Sequence, residues 1–152
     1  MPEKRKKVLV VGAGGFIGSW LVEEALARGL EVWAAVRGST SRRWLGQEGV
    51  HFLCLDFDDP QGMADTLSAF LPAGERWEYV VYNLGATKCL NFADFSRINY
   101  DFLRTFVTAV KDAGLVPDKM LYMSSLSVMG PGDERGFRPF DEKGIPMPNT
   151  RY

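Results

Sequence analysis

A glycine-rich segment directly after the first run of β-branched residues limits the folds that are open to this chain. Residues 8–11 are all Val or Leu, and residues 12–18 read Gly-Ala-Gly-Gly-Phe-Ile-Gly before a stretch with helical spacing. A strand that turns sharply into a closely packed helix needs glycine at the turn and at the contact. The free N–H groups at such a helix start attract a diphosphate. No Gly-Lys-Ser/Thr follows, so the segment predicts a dinucleotide-binding loop rather than a Walker loop.

The rest of the chain continues the alternation of strands and helices. Apolar runs predict strands at residues 7–11, 31–36, 50–55, 79–84 and 119–123. Helical spacing and capping residues predict helices at residues 16–28, 41–47 and 60–71, and a long helix from about Phe92 or Asn99 to Ala113. Strands that alternate with helices form a parallel sheet with right-handed crossovers. We therefore predict a Rossmann-like α/β fold, a doubly wound parallel sheet in three α/β/α layers that stops after about the fifth strand.

Two local features complete the predicted architecture. In the first helix, Phe16, Leu21, Ala25 and Leu26 have the spacing of one inward stripe. From residue 130 onward, proline and glycine become frequent, which predicts about twenty residues of loop.

Composition and charge exclude several classes of protein. The chain has 152 residues, the length of one domain, and its 18 basic and 19 acidic residues give a net charge of -1, which argues against a nucleic-acid binder. Two cysteines and one histidine are too few for a cysteine-rich or histidine-rich metal site, so we expect no metal. No apolar run reaches the roughly 18 residues of a membrane span, and we expect a cytoplasmic protein with reduced thiols.

The residue at the end of the second strand bears on the choice of coenzyme. An acidic side chain there would bind the ribose 2′-hydroxyl of NAD, but this chain has Arg37, a cation suited to the 2′-phosphate of NADP. Arg42 and Arg43 are candidate helpers in the next segment. NADP is therefore favoured over NAD, with a surface Arg37 that stacks on the adenine of NAD as the alternative.

These features together resemble the extended short-chain dehydrogenase/reductase family, the NAD-dependent epimerase/dehydratase group. Gly12, Gly15 and Gly18 match the family's GxxGxxG loop, and residues 15–18 match its GFIG sequence. The resemblance implies a set of cofactor-binding residues at the ends of successive strands. These are Gly12, Gly14, Gly15, Phe16, Ile17, Gly18, Arg37, Asp56, Phe57, Leu84, Gly85, Ala86, Lys88 and Ser124.

Three later segments carry the resemblance further along the chain. Asp56, after the third strand, resembles the family's aspartate that meets the adenine amine. Residues 84–88 resemble the segment that passes the nicotinamide ribose, where Lys88 is either a ribose contact or a surface lysine. Asn99 resembles the helix asparagine that braces the fourth strand.

The last segments resemble the catalytic part of the family. Residues 123–130 resemble its "SS…VYG" segment, which places the catalytic serine at Ser125, and Tyr152 fits the tyrosine of its Tyr-x-x-x-Lys pair. In the family the serine orients the substrate oxygen. The lysine lowers the tyrosine pKa from its reference value near ~10, so that the phenol can exchange a proton near neutrality. The sequence ends at Tyr152, so the lysine position lies beyond it.

The resemblance covers essentially all of the chain but only the N-terminal half of a family member. It implies that residues 1–152 are one NAD(P)-binding domain, a fragment of a longer enzyme whose substrate region is absent, with negligible turnover by itself. The expected partners are a dinucleotide and a small-molecule substrate such as a nucleotide sugar, with no nucleic acid and no membrane. In this family dimers often form through the long helices, so a homodimer is an expectation for the full-length enzyme.

Three readings of the function remain open. The first is hydride transfer to or from a nucleotide sugar. The sequence of residues 36–39 also resembles that of the dihydroflavonol/cinnamoyl reductase branch, whose substrates are ketones or aldehydes. The second is a non-catalytic regulator that senses NADP on the same fold, although the placement of Tyr152 favours an enzyme. The third, another nucleotide binder on a doubly wound sheet, is weakened by the glycine spacing.

Overall fold

The computed structural model describes residues 4–149 and shows strands and helices in alternation. The elements are β1 (Lys7–Val11), α1 (Phe16–Ala27), β2 (Glu31–Val36), β3 (Val50–Cys54), α2 (Pro60–Ala69), β4 (Tyr79–Tyr82), α3 (Phe92–Ser96), α4 (Phe102–Asp112) and β5 (Lys119–Tyr122). A π-helical turn, Arg97–Asp101, joins α3 to α4, and a 3₁₀ turn, Leu126–Met129, follows β5. The long helix predicted from residue 92 is therefore continuous but locally widened in its middle.

The five strands form one parallel sheet in the order β3-β2-β1-β4-β5. The chain adds β2 and β3 on one side of β1 and then returns to place β4 on the other side. Val11, the last residue of β1, lies opposite Ala35 and Tyr82. In sheets of this kind, ligands bind where the strand order reverses, in the crevice outside the carboxyl ends. Here that crevice lies between β1 and β4.

Alternate residues of each strand face opposite layers of helices. Val8 and Val10 belong to a core that contains α1, whereas Leu9 and Val11 belong to a second core formed with α2 and α4. Both sets are almost fully buried, as expected for the continuous apolar strands of a parallel sheet. The predicted three-layer, Rossmann-like architecture is confirmed.

The helix ends follow local signals in the sequence. Asp59 caps α2, where its side chain accepts a hydrogen bond from the N–H of Gly62 and Pro60 takes the first helical position. Gly29 follows α1 with a φ of +76°, which glycine adopts without the strain that other residues incur. The sequence therefore predicts both boundaries for reasons that the structure confirms.

The helix predicted over residues 41–47 is wrong. The segment is irregular, with one turn in which the N–H of Leu45 donates to the carbonyl oxygen of Arg42. Its side chains find partners outside a helix: Leu45 is buried against the α1 face of the sheet, and Arg42 stacks over Phe52 at 4.5 Å. So short a helix lacks enough hydrogen bonds to offset its nucleation cost.

The inward stripe predicted for α1 is also partly wrong. Phe16 is 76% exposed, and the buried residues of the helix are Gly18, Ser19, Val22 and Ala25. Phe16 stands two residues before Gly18, which is about 200° around the helix, so burying Gly18 turns Phe16 outward. Ala25 is buried as predicted, and Leu21 and Leu26 are partly buried against the same core.

The remaining segments contribute no further layer. Residues 130–149 contain neither helix nor strand, as the proline and glycine content predicts. Among residues 4–149, no helix combines the length and the apolar character that crossing a membrane requires.

Candidate functional site

A cleft of about 750 Å³ lies at the carboxyl edge of the sheet, at the point where the strand order reverses. Its walls come from the glycine loop and from the segments that follow β2, β3, β4 and β5. Most of the predicted cofactor-binding residues line it. These are Gly12, Gly14, Gly15, Phe16, Ile17, Arg37, Phe57, Leu84, Gly85 and Ser124.

The glycines of the loop serve different purposes. Gly12 has a φ of +81°, and a Cβ added there would lie 2.9 Å from the Leu84 nitrogen. A Cβ added at Gly18 would lie 2.2 Å from the Gly12 carbonyl oxygen, so this glycine lets α1 approach β1. Gly15 has no neighbour closer than 3.7 Å to an added Cβ, so the fold itself leaves room there.

Several N–H groups at the start of α1 are unpaired. The N–H groups of Gly14, Phe16 and Ile17 donate to no acceptor among the residues that the structure describes, and all three residues line the cleft. The first N–H groups of a helix have no partner within it, and the helix dipole adds positive potential at the same end. The loop can therefore bind an anionic group.

Arg37 gives the cleft its positive charge. Within residues 4–149 it is the one charged residue that lines the cleft, and its exposed guanidinium forms no ion pair there. Arg42 and Arg43 do not line the cleft; their guanidinium groups lie over the rings of Phe52 and Trp44, each at 4.5 Å. Of the three predicted cations, only Arg37 is placed at the cleft.

The segment after β3 is held by contacts with the π-helical turn and with the first residue of α4. Phe57 lines the cleft and stacks on Phe102 with ring centroids 4.8 Å apart. Asp56 does not line the cleft, and its Oδ1 accepts a hydrogen bond from the Asp58 N–H at 2.9 Å, which closes a turn. Asp58 in turn forms an ion pair with Arg97, and the bond raises the pKa of that guanidinium.

The segment after β4 is held by Asn99. Its Oδ1 accepts from the Ala86 N–H at 2.7 Å, and its Nδ2 donates to the Ala86 carbonyl oxygen at 3.0 Å. This pair of bonds fixes the chain beside Leu84 and Gly85, which line the cleft, although Ala86 itself does not. Lys88 is exposed and lies outside the lining.

The catalytic candidates lie near the end of β5. Ser124 lines the cleft, whereas Ser125 is half-buried beside it and starts the 3₁₀ turn. The Oγ of Ser125 accepts a hydrogen bond from the Ser127 N–H at 3.2 Å, so its own proton is left to donate. Tyr152 lies outside the described residues.

Several lining residues were missed by the sequence reasoning. Asn83 and Met123 directly follow β4 and β5, so the rule that ligands bind at carboxyl strand ends could have identified them. Thr40, Ser41 and Thr87 also line the cleft. Thr40 and Ser41 carry no such signal, because the path of their loop depends on its packing.

The model of the NAD dependent epimerase/dehydratase family matches residues 8–152. The chain belongs to this family. The likeness extends to the fold of a solved member, the UDP-glucose 4-epimerase of Thermus thermophilus in complex with NAD, with a TM-score of 0.77 and 27% identity. The match covers 96% of this chain and 46% of that one.

Two sequence relatives show how widely functions vary among similar chains. Cinnamoyl-CoA reductase 1 of Oryza sativa subsp. japonica is 34% identical over 116 residues, which is 74% of this chain and 32% of the relative. The nitrogen metabolite regulation-like protein bik4 of Gibberella fujikuroi is 30% identical over 131 residues, 86% of this chain and 36% of the relative. The chain thus spans about a third of the length of these two proteins.

Proposed function

We propose that residues 1–152 form the coenzyme-binding domain of an NAD(P)-dependent epimerase, dehydratase or reductase. The observation that carries the proposal is the glycine loop, where Gly14, Phe16 and Ile17 line a cleft at the reversal of the strand order and their N–H groups have no acceptor within residues 4–149. No Asp or Glu lines this cleft within residues 4–149, so a diphosphate meets no carboxylate there. An anion at these amides gains both hydrogen bonds and the helix dipole.

The residues that line the cleft, on segments that follow successive strands, would suit an extended dinucleotide. The loop amides would hold the diphosphate, Arg37 and Phe57 would flank the adenosine, and Leu84, Gly85 and Ser124 would flank the nicotinamide riboside. When bound, the nicotinamide accepts or returns a hydride. The chain's own contribution is to hold the two ends of the coenzyme along one edge of the sheet, on loops that rigid strands position.

Arg37 supports NADP as the preferred coenzyme. A guanidinium at the end of β2 that forms no ion pair within residues 4–149 suits a 2′-phosphate, whereas the 2′-hydroxyl of NAD is usually bound by a carboxylate at this position. The Thermus enzyme was solved with NAD, so this preference is a proposal about this chain rather than about the family.

Two residues are proposed for the chemistry at the substrate. The proton of Ser125 Oγ is available because the oxygen accepts from Ser127. We assign Ser125 to orient the substrate oxygen and Tyr152 to exchange its proton. The likeness to a UDP-glucose 4-epimerase favours a nucleotide sugar as the substrate, and the likeness to a cinnamoyl-CoA reductase makes a carbonyl reductase the alternative.

A regulator that binds NADP without turnover is the second candidate function. The match to a nitrogen metabolite regulation-like protein over 86% of this chain supports it. A regulator would bind the coenzyme but leave its absorbance unchanged in the presence of a UDP-sugar or a CoA thioester. Oxidation or reduction of the coenzyme with either substrate would favour the enzyme.

The proposal is tested by fluorescence titration with NADPH and NADH. We expect NADPH to bind more tightly, and Arg37→Asp to invert the preference because the carboxylate repels a 2′-phosphate and accepts from a 2′-hydroxyl. Arg43→Asp makes the same charge change away from the cleft and should leave the ratio unaltered. If neither coenzyme binds, the proposed function is wrong; if Arg37→Asp leaves the ratio unchanged, only the NADP assignment is wrong.

A further inference from the structure

Thr40 connects the two parts of the cleft that would meet the diphosphate and the 2′-phosphate of the coenzyme. Its N–H donates to the Arg37 carbonyl oxygen at 2.9 Å, and its Oγ1 accepts from the Arg37 N–H at 3.1 Å. Thr40 therefore fixes both main-chain groups of Arg37. The side chain of Arg37 projects from a backbone held in this turn.

The methyl group of Thr40 contacts the glycine loop. A Cβ added at Gly14 would lie 2.1 Å from the Thr40 Cγ2, so this glycine leaves the space that the methyl group fills. Gly14 is not one of the three glycines of the GxxGxxG pattern, which are Gly12, Gly15 and Gly18. Its lack of a side chain is therefore explained by Thr40 rather than by the turn.

The hydroxyl and the methyl group branch from one carbon atom, so the two contacts have a fixed relation. A β-branched side chain has few rotamers, and satisfying one contact holds the other in place. The hydroxyl fixes Arg37, and the methyl group fixes the distance from that turn to the amides of Gly14, Phe16 and Ile17. In NADP the diphosphate and the 2′-phosphate are joined through one ribose, so their separation has a narrow range.

We propose that Thr40 is a positioning residue that selects the 2′-phosphorylated coenzyme by setting the distance between Arg37 and the glycine loop. The inference rests on the proposed function, because it assigns the 2′-phosphate to Arg37. Thr40 acts through Arg37, so it should affect NADPH binding and leave NADH binding nearly unchanged.

The test compares Thr40→Val, which keeps the methyl contact and removes the hydroxyl, with Thr40→Ser, which keeps the hydroxyl. Dissociation constants are measured by calorimetry for NADPH and NADH, and for adenosine 2′,5′-bisphosphate and AMP, which differ in the 2′-phosphate alone. We expect Thr40→Val to weaken both 2′-phosphorylated ligands about tenfold, the effect of one hydrogen bond next to a charged group. Binding of NADH and AMP should change less than about twofold, and Thr40→Ser, which loses the methyl contact with Gly14, should also lower the NADPH-to-NADH ratio.

Ser39→Ala is the matched control, since Ser39 is exposed in the same turn and does not line the cleft. An equal loss of NADPH and NADH binding in Thr40→Val would mean that Thr40 merely supports the loop, which overturns the inference. The same holds if Thr40→Ser keeps the ratio of the unmutated protein, because the distance between Arg37 and the glycine loop would then not depend on the methyl group. Should Arg37→Ala weaken NADPH binding while Thr40→Val does not, the positioning role fails and the proposed function stands. If Arg37→Ala has no effect, the 2′-phosphate assignment fails and the inference fails with it.

Discussion

Asn99 binds both main-chain groups of Ala86, with Oδ1 accepting from its N–H at 2.7 Å and Nδ2 donating to its carbonyl oxygen at 3.0 Å. The bonds cross from the π-helical turn to the segment after β4. An amide side chain is well suited to this pairing, because it offers a donor and an acceptor side by side. The contact joins the helical layer to the wall of the cleft that would meet the nicotinamide riboside.

Removing this contact should affect both stability and coenzyme binding. We expect Asn99→Ala to lower the free energy of unfolding by about 2 kcal/mol, the effect of two hydrogen bonds, and to weaken coenzyme binding because Leu84 and Gly85 lose their support. Urea unfolding and coenzyme titration measure the two effects.

Asn91→Ala provides the control for Asn99→Ala. Asn91 caps α3 by accepting from the Asp94 N–H, and loss of a cap costs about 1 kcal/mol without touching the cleft. Coenzyme binding that falls equally in both variants would show that general destabilisation, rather than the Ala86 contact, is responsible.

Substitutions at two glycines of the loop should affect stability and coenzyme binding differently. Gly18→Ala places a Cβ 2.2 Å from the Gly12 carbonyl oxygen, so we expect it to destabilise the protein by about 1–3 kcal/mol. The Cβ of Gly15→Ala meets no atom closer than 3.7 Å, so this substitution should lower the free energy of unfolding by at most about 1 kcal/mol. It should still weaken coenzyme binding, because the added methyl group narrows the cleft.

Thermal unfolding with and without coenzyme distinguishes these cases. Gly46→Ala is the control, because a Cβ there meets nothing within 4 Å and its φ is not positive. A Gly15→Ala variant that binds coenzyme as well as the unmutated protein would show that the loop does not approach the ligand closely.

The ion pairs of Glu75 with Lys4 and Lys7 should make the stability of the protein depend on pH in the acidic range. Glu75 accepts from Lys4 Nζ at 2.7 Å and pairs at 2.8 Å with Lys7, whose residue surface is 3% exposed. The hydrogen bond from Lys4, together with that from Lys7, lowers the pKa of Glu75 from 4.5 to about 2. The unfolded chain therefore takes up a proton first as the pH falls.

The stabilisation from Glu75 is complete above pH 4.5 and is lost as the pH falls through about 2. We expect Glu75→Gln to reduce stability at pH 7 and to make the urea midpoint less dependent on pH between these two values. Glu142→Gln alters an exposed carboxylate that forms no ion pair with a described residue, and it should leave the profile as it was. Identical profiles for Glu75→Gln and the unmutated protein would contradict the prediction.

The hydroxyl of Tyr82 is buried and has no hydrogen-bond partner within residues 4–149. Tyr82 is fully buried against Phe106, and its oxygen has no hydrogen-bond partner in the part of the chain that is described. Burial raises the pKa of Tyr82 above its ordinary value. We expect Tyr82→Phe to keep the free energy of unfolding or to raise it by up to about 2 kcal/mol. The substitution removes a hydroxyl that gives up its hydrogen bonds to water on folding and gains none in return.

Tyr79→Phe is the matched comparison for Tyr82→Phe. The Tyr79 hydroxyl accepts from the exposed Lys6 Nζ at 3.1 Å, and a contact so open to solvent should contribute little. Urea unfolding measures both variants. A clear loss of stability in Tyr82→Phe alone would mean that the hydroxyl has a partner.

The elements and their order follow from signals that are local in the sequence. The strands are continuous apolar runs, Asp59 and Gly29 mark helix boundaries, and the glycine spacing of residues 12–18 predicts a loop that packs against β1. These features depend on backbone conformation and on contacts between neighbours along the chain. The helix predicted over residues 41–47 failed because so few residues form too few hydrogen bonds to offset the cost of nucleation.

Local patterns along the chain are enough to predict the sheet, the glycine loop and a cation after β2. Packing between segments that are distant in the sequence sets which side chains meet at the cleft: Thr40 lies over Gly14, Arg37 forms no ion pair with residues 4–149, and Arg42 and Arg43 stack elsewhere. The physical reason is that a loop has no periodicity of its own. Its path is set by burial of residues such as Leu45 against strands that are distant in the sequence, and this packing exists only once the sheet has formed.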